Sequence, residues 1–255
     1  MRATDSQLPS RQESIAAAVA LLLLLFSADA AFTLLHLINV ETGFLRGTGI
    51  SLESDGGPSE IYQYVKEFWV IVCMLVAFVS TRHRAYLGWA IAVSFLLADD
   101  AGQIHENVGG WLAAHYQFAA PFGMRSKDIG ELLVAGAAGV FTLTIVGAGL
   151  WRGTEQCRRI SRDMGLLIVL LAVVGVVVDV LHIVAYNAQS LLAQVLLVVE
   201  DGGEMVVMSA LTAYAFHIAS HAGRTRFDLW SAVRARLSGA DTGAIRLPRR
   251  QEASA

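Results

Sequence analysis

Asp29, His36, Asp99, Asp100, His105, Glu106, Asp179, His182, Glu200, Asp201 and Glu204 all lie within stretches that otherwise read as apolar. Imidazole and carboxylate together suit Zn, Fe or Mn better than Ca, and the lack of thiolates argues against a closed structural zinc site. The same groups, stacked in a membrane, could instead relay protons. At 100° per residue Asp29 and His36 share a helix face, Asp179 and His182 are neighbours, and so are Glu200 and Glu204, with Asp201 to one side. Asp99, Gln103 and Glu106 form one stripe, while Asp100 and His105 point elsewhere. His36, Asp99, Glu106, His182 and Glu200 are the expected metal ligands, with Glu204 or Asp179 as the proton acceptor. Asp29, Asp100, His105 and Asp201 are expected as further polar members of the site.

These residues need helices to hold them. The chain has 255 residues, 55% hydrophobic and 16% charged, with a mean hydropathy of +0.54. That composition excludes a disordered chain and points to membrane helices. A net charge of -3 leaves no basic field to draw nucleic acid. Cys73 and Cys157 form neither a disulfide framework nor a metal pair. No P-loop, dinucleotide fingerprint, HExxH or GxSxG occurs.

A helix crosses the hydrocarbon core in about 20 residues. Six spans are expected: Ile15–Val40, Ile61–Thr81, Ala85–His115, Ile129–Trp151, Met164–Asn187 and Leu192–Ser220. Gly109 and Gly110 are expected to loosen the end of the third. Residues 1–14 form an N-terminal segment, 15–220 the six-helix transmembrane domain, and 221–255 a basic tail. Arginines gather at Arg82 and Arg84, at Arg152, Arg158, Arg159 and Arg162, and in the tail. Positive loops stay in the cytoplasm, so both termini should be inside a plasma membrane of the bacterial inner type. Phe227, Trp230, Val233 and Leu237 recur at helical spacing and suit a short amphipathic helix on the inner leaflet. Arg11, the run Ile15–Phe26 and Ala28-Asp29-Ala30 also resemble a signal peptide. Apolar residues continuing past Phe32, together with Asp5 and Glu13, favour a retained span.

At 1.5 Å per residue Asp29, Asp99, Asp100 and Asp179 lie about 21–22 Å above the cytoplasmic helix ends, and Glu200 to Glu204 about 12–18 Å below the outer surface. The charges therefore collect in the outer half. Each acid costs about 2.5–3.5 kcal/mol near a helix centre, so something must compensate. Lys66 is the one basic residue in the outer half of a span.

Blander readings stand beside the sharp one. His36 fits an interfacial histidine, His105 and Glu106 a helix end in water, Asp128 and Glu131 a helix N-terminus, and Lys66-Glu67 a local ion pair. Asp99-Asp100 and Glu200-Asp201, each followed by small residues, form a faint internal echo such as transporters carry. The preferred reading is a one-sided metal site, that of a hydrolase or other enzyme acting on a lipid-like or amphiphilic substrate. The alternatives are a proton-coupled or ion transporter and a non-catalytic sensor or accessory subunit. An absence of polar residues from the inner half weighs against a through-path.

Overall fold

The computed structural model describes residues 11–54, 56–121, 123–187 and 192–221. The expected tail helix at Phe227–Leu237 lies outside them. The described residues are all-α with no sheet. They comprise α1 (Arg11–Thr42), α2 (Pro58–Thr81), α3 (Arg84–Gly102), α4 (Ile104–Tyr116) and α5 (Ser126–Leu150). Next come α6 (Glu155–Ala172), a π-helical segment (Val173–Val178), α7 (Asp179–Asn187) and α8 (Leu192–Ser220). α6, the π segment and α7 follow without a break and form one rod.

Length and apolarity qualify four stretches to cross a membrane: Gln12–Thr42, Pro58–Thr81, Ser126–Leu150 and Glu155–Tyr186. The pair α3 and α4, bent by 68°, makes a fifth if it is one span. Leu24, Leu133, Val140 and Leu143 stand exposed on their outer faces, as helices in lipid require. The chain is accordingly read as a multi-pass membrane protein.

The expected sixth span does not qualify on apolarity, because Glu200, Asp201 and Glu204 interrupt α8. Its packing supplies the reason. α8 is flanked by α1, α2, α6, the π segment and α7, and its second half is almost wholly buried, from Met205 through Ile218. A helix enclosed by other helices has little need of an apolar exterior.

Two further expectations shift. The third span breaks at Gln103, not at Gly109–Gly110. Gln103 adopts a left-handed conformation, φ 48° and ψ 40°, and its N–H bonds back to the Asp100 carbonyl. Gly109 instead lies within α4, where a Cβ on Gly130 would come 2.2 Å from its carbonyl oxygen. The glycines bring α4 and α5 into backbone contact, the usual role of small residues between membrane helices. The charged stretch before Met164 is also helical. Thr154 caps it by accepting from the Cys157 N–H, and Cys157, Ile160, Ser161 and Met164 face inward at three- and four-residue spacing.

Candidate functional site

Two His/carboxylate triplets emerge, each with its candidate ligand atoms within 4.8 Å of one another. The first is Asp99, Asp100 and His105. It exists because α3 stops and α4 restarts: the Asp99 carboxylate accepts from the His105 N–H at 2.7 Å, satisfying a first-turn donor of α4. His105 Nδ1 lies 3.4 Å from the other Asp99 oxygen. The bend folds His105 onto Asp99 and dissolves the predicted stripe of Asp99, Gln103 and Glu106. Glu106 turns to Lys127 at 3.0 Å, which also reaches Glu131 at 3.1 Å.

The second triplet is Asp179, His182 and Glu200, joining α7 to α8. His182 Nδ1 and Glu200 Oε2 stand 2.9 Å apart, with side chains 20% and 17% exposed, so the pair is accessible without being at the surface. Here Asp179, expected as a proton acceptor, sits with the ligands. Glu204 lies one turn beyond Glu200 and packs directly against Gly175 of the π segment, where a Cβ would come 2.0 Å from Glu204 Oε1. π turns recur at functional sites, and here the turn makes room for an acid.

A cavity of about 560 Å³ connects the two regions. Asp99, Asp100, His105, Asp179 and Glu204 line its polar end, and Trp89, Phe95, Leu132, Leu143 and Val169 are among its apolar walls. Asp128 and Glu131 reach it too, but Asp128 is the N3 residue of a capping box with Arg125. Arg125 Nη2 lies 2.8 Å from Asp128 Oδ1, and that contact raises the affinity of the guanidinium for its proton.

Other expected members lie elsewhere. Asp29 is bonded to Lys66 Nζ at 3.1 Å and to the Ser209 hydroxyl at 2.6 Å. His36 is buried under the α1–α2 connection, where its Nδ1 accepts from the Leu52 N–H at 3.2 Å and lies 3.1 Å from Ser51 Oγ. It belongs to neither triplet, nor does Glu106. Asp201 is half-buried and faces Glu53 electrostatically. The expected Lys66–Glu67 pair is replaced by Lys66–Asp29, since adjacent residues on a helix point about 100° apart.

Residues 16–218 match the model of a family described as Domain of unknown function (DUF8692). The chain belongs to that family. No curated protein and no solved structure matches it.

Sequence reasoning gave Glu67 only a local ion pair with Lys66, whereas it is fully buried, bonds carboxyl to carboxyl with Asp100 and faces Glu204. Its 100° offset from Lys66 was the available signal. Also missed was buried polarity at the other end of the bundle, away from the two triplets. Asp163 accepts from the Tyr214 hydroxyl at 3.0 Å, and Ser14 Oγ lies 2.9 Å from His221 Nδ1. Asp163 escaped because it was assigned to a loop.

Proposed function

We propose that this is a six-span protein of a bacterial inner-type membrane, with both termini cytoplasmic, that binds a divalent transition metal through Asp179, His182 and Glu200. In this reading it uses the ion to hydrolyse an amphiphilic substrate held in the adjoining cavity. The single observation carrying the proposal is the convergence of these three side chains from two helices beside a largely apolar cavity. The triplet of Asp99, Asp100 and His105 is less suited, because Asp99 already serves as the cap of α4. Two carboxylates and one imidazole match Zn, Fe or Mn, and three protein ligands leave positions free for water or substrate. A metal there would supply Lewis acidity. Glu204, lining the cavity one turn along α8, is placed to accept a proton.

Elemental analysis of the purified chain tests the reading. About one Zn, Fe or Mn per chain, lost in His182→Ala and Glu200→Gln, is the expected result. Metal-free protein that stays metal-free when offered each ion, with the fold intact, overturns it.

One observation favours a second reading, a proton-coupled or ion carrier. Polar groups follow α8 through both halves: Glu200 and Glu204, then Ser209 and Thr212, then Tyr214 bonded to Asp163. The inner half is thus less bare than the sequence implied. Ion flux in liposomes, abolished by Glu204→Gln with no metal bound, would select this reading. A sensor or accessory subunit that pairs its charges with another membrane protein draws less support, since Asp29, Lys66, Glu67, Asp99 and Asp163 are buried within the chain.

A further inference from the structure

The cavity is long, acidic at one end and open along one side. Its α5 wall runs from Asp128 to Leu143, about 22 Å at the α-helical rise. That exceeds the roughly 15 Å of hydrocarbon in one leaflet. A volume of about 560 Å³ falls within the usual range for small-molecule pockets of about 300–1,000 Å³. Spread over this length, it is room for an alkyl chain. α5 packs chiefly on α3 and α4, whereas α6 packs on α8, so these sequence neighbours leave a gap. Gly139, Leu143, Val169 and Ala172 line the cavity and are also exposed on the outer surface. The gap is a side opening, and in a membrane it faces acyl chains.

The polar end selects the head group. No Lys or Arg is among the described residues lining the cavity. The nearest basic groups already bind acids: Lys66 holds Asp29, Arg125 holds Asp128, and Lys127 holds Glu106 and Glu131. With Asp179, His182 and Glu200 assigned to a metal, Asp100 and Glu204 meet no Lys or Arg among the described lining residues, and Asp100 has only the His105 imidazole within 4.8 Å. Behind them stands Glu67, fully buried, its carboxyl bonded to that of Asp100 and to no basic side chain. Carboxylates gathered in low dielectric must be neutralised by protons or by a bound cation, and an ammonium brings both charge and donors.

We infer that the cavity takes a single-chain amphiphile with an ammonium head group directly from the bilayer, its chain between α5 and α6 and its ammonium beside Asp100 and Glu204. This deepens the proposed function by naming its ligand class, and it rests on the cavity of that reading rather than on the metal.

Photolabelling tests it, with the full chain in zwitterionic nanodiscs. The probes are hexadecylamine, hexadecanoic acid and hexadecanol, each carrying a diazirine at the chain end. The amine should label residues 132–143 and 165–176, compete with unlabelled hexadecylamine, and exceed the acid and alcohol by about tenfold, as one charged hydrogen bond allows. Asp100→Asn with Glu204→Gln should remove that preference. Gly139→Phe should block labelling by all three probes, since nothing lies within 4 Å of a Cβ at this position to prevent folding. The labelling should persist after chelation, and Gly139→Phe should leave the metal content unchanged, so failure of the metal reading and failure of this one are separable. Equal labelling by the three probes would mean ordinary lipid in the groove. Labelling confined to other helices, or α5 and α6 covered by a second copy in a cross-linked dimer, would also overturn the inference.

Discussion

α8 passes through two charged regions that are built on opposite terms. At Ser209 the charges balance: Lys66 meets Asp29, the Ser209 hydroxyl and the Met205 carbonyl, and the Tyr62 ring lies 4.5 Å from its ammonium. At Glu204 and Glu200, about one and a half to two and a half turns nearer the N-terminal end of α8, acids gather with the imidazoles of His105 and His182 and no Lys or Arg among the described lining residues. Lys66 and Asp29 are fully buried, whereas His182 and Glu200 keep side-chain exposures of 20% and 17%. Balanced charge in a membrane helix ties helices together.

Breaking the balanced region should have the largest effect. Lys66→Met leaves Asp29 buried and unpaired, so it should lower unfolding stability in detergent by about 3–5 kcal/mol. Asp29→Leu combined with Lys66→Met should recover most of that loss. A harmless single variant would mean that the region at Ser209 is not held by its ion pair. The unbalanced region should behave in reverse. Glu200→Gln or His182→Ala should leave the melting temperature unchanged or raised in metal-free protein. Metal affinity should fall by more than the about 10–100-fold that follows loss of an outer partner, as read by titration with Zn, Fe or Mn. A large loss of stability in the apo state would place these residues with Lys66 as structural ties.

A smaller effect sharpens the contrast at the point where Glu204 is seated. Gly175→Ala brings a Cβ into the Glu204 carboxylate, so it should cost about 1–3 kcal/mol as overpacking does. Glu204→Ala made with it should relieve most of the cost in denaturant unfolding. The smallest change is expected at Asp128, an acid at the cavity mouth that serves as a helix cap. Asp128→Ala should cost about 1 kcal/mol and leave metal content alone. Loss of metal there would move Asp128 from the balanced class to the unbalanced one.

Much of this arrangement was readable from residue positions. Apolar run lengths set the helices, and counting depth along them put Asp179 and Glu200 in the same half of the bilayer. That is why their convergence could be anticipated. The bend at Gln103 could not. It depends on the Asp99 carboxylate reaching forward six residues to the His105 N–H, and a steady 100° rotation predicts the wrong partner, Glu106. His36 was misplaced for a related reason. Its partners, Ser51 and Leu52, lie in a connection with no periodic pattern, and only tertiary folding brings them over the end of α1. Asp163 was hidden by the arginines around it, which made an amphipathic helical start look like a loop.

The π segment Val173–Val178 has a further consequence for how this fold can vary. A π turn holds roughly one residue more than the α-helical path it replaces, so it acts as a register shim between α6 and α7. Deleting one valine there can be absorbed by the turn itself, which relaxes to the α-helical path and keeps Asp179 and His182 opposite Glu200. A deletion elsewhere in α6 or α7 has no such slack and would turn the residues beyond it by about 100°. The segment thus lets the chain between the two helices vary by one residue without uncoupling the acids on α7 from the one on α8.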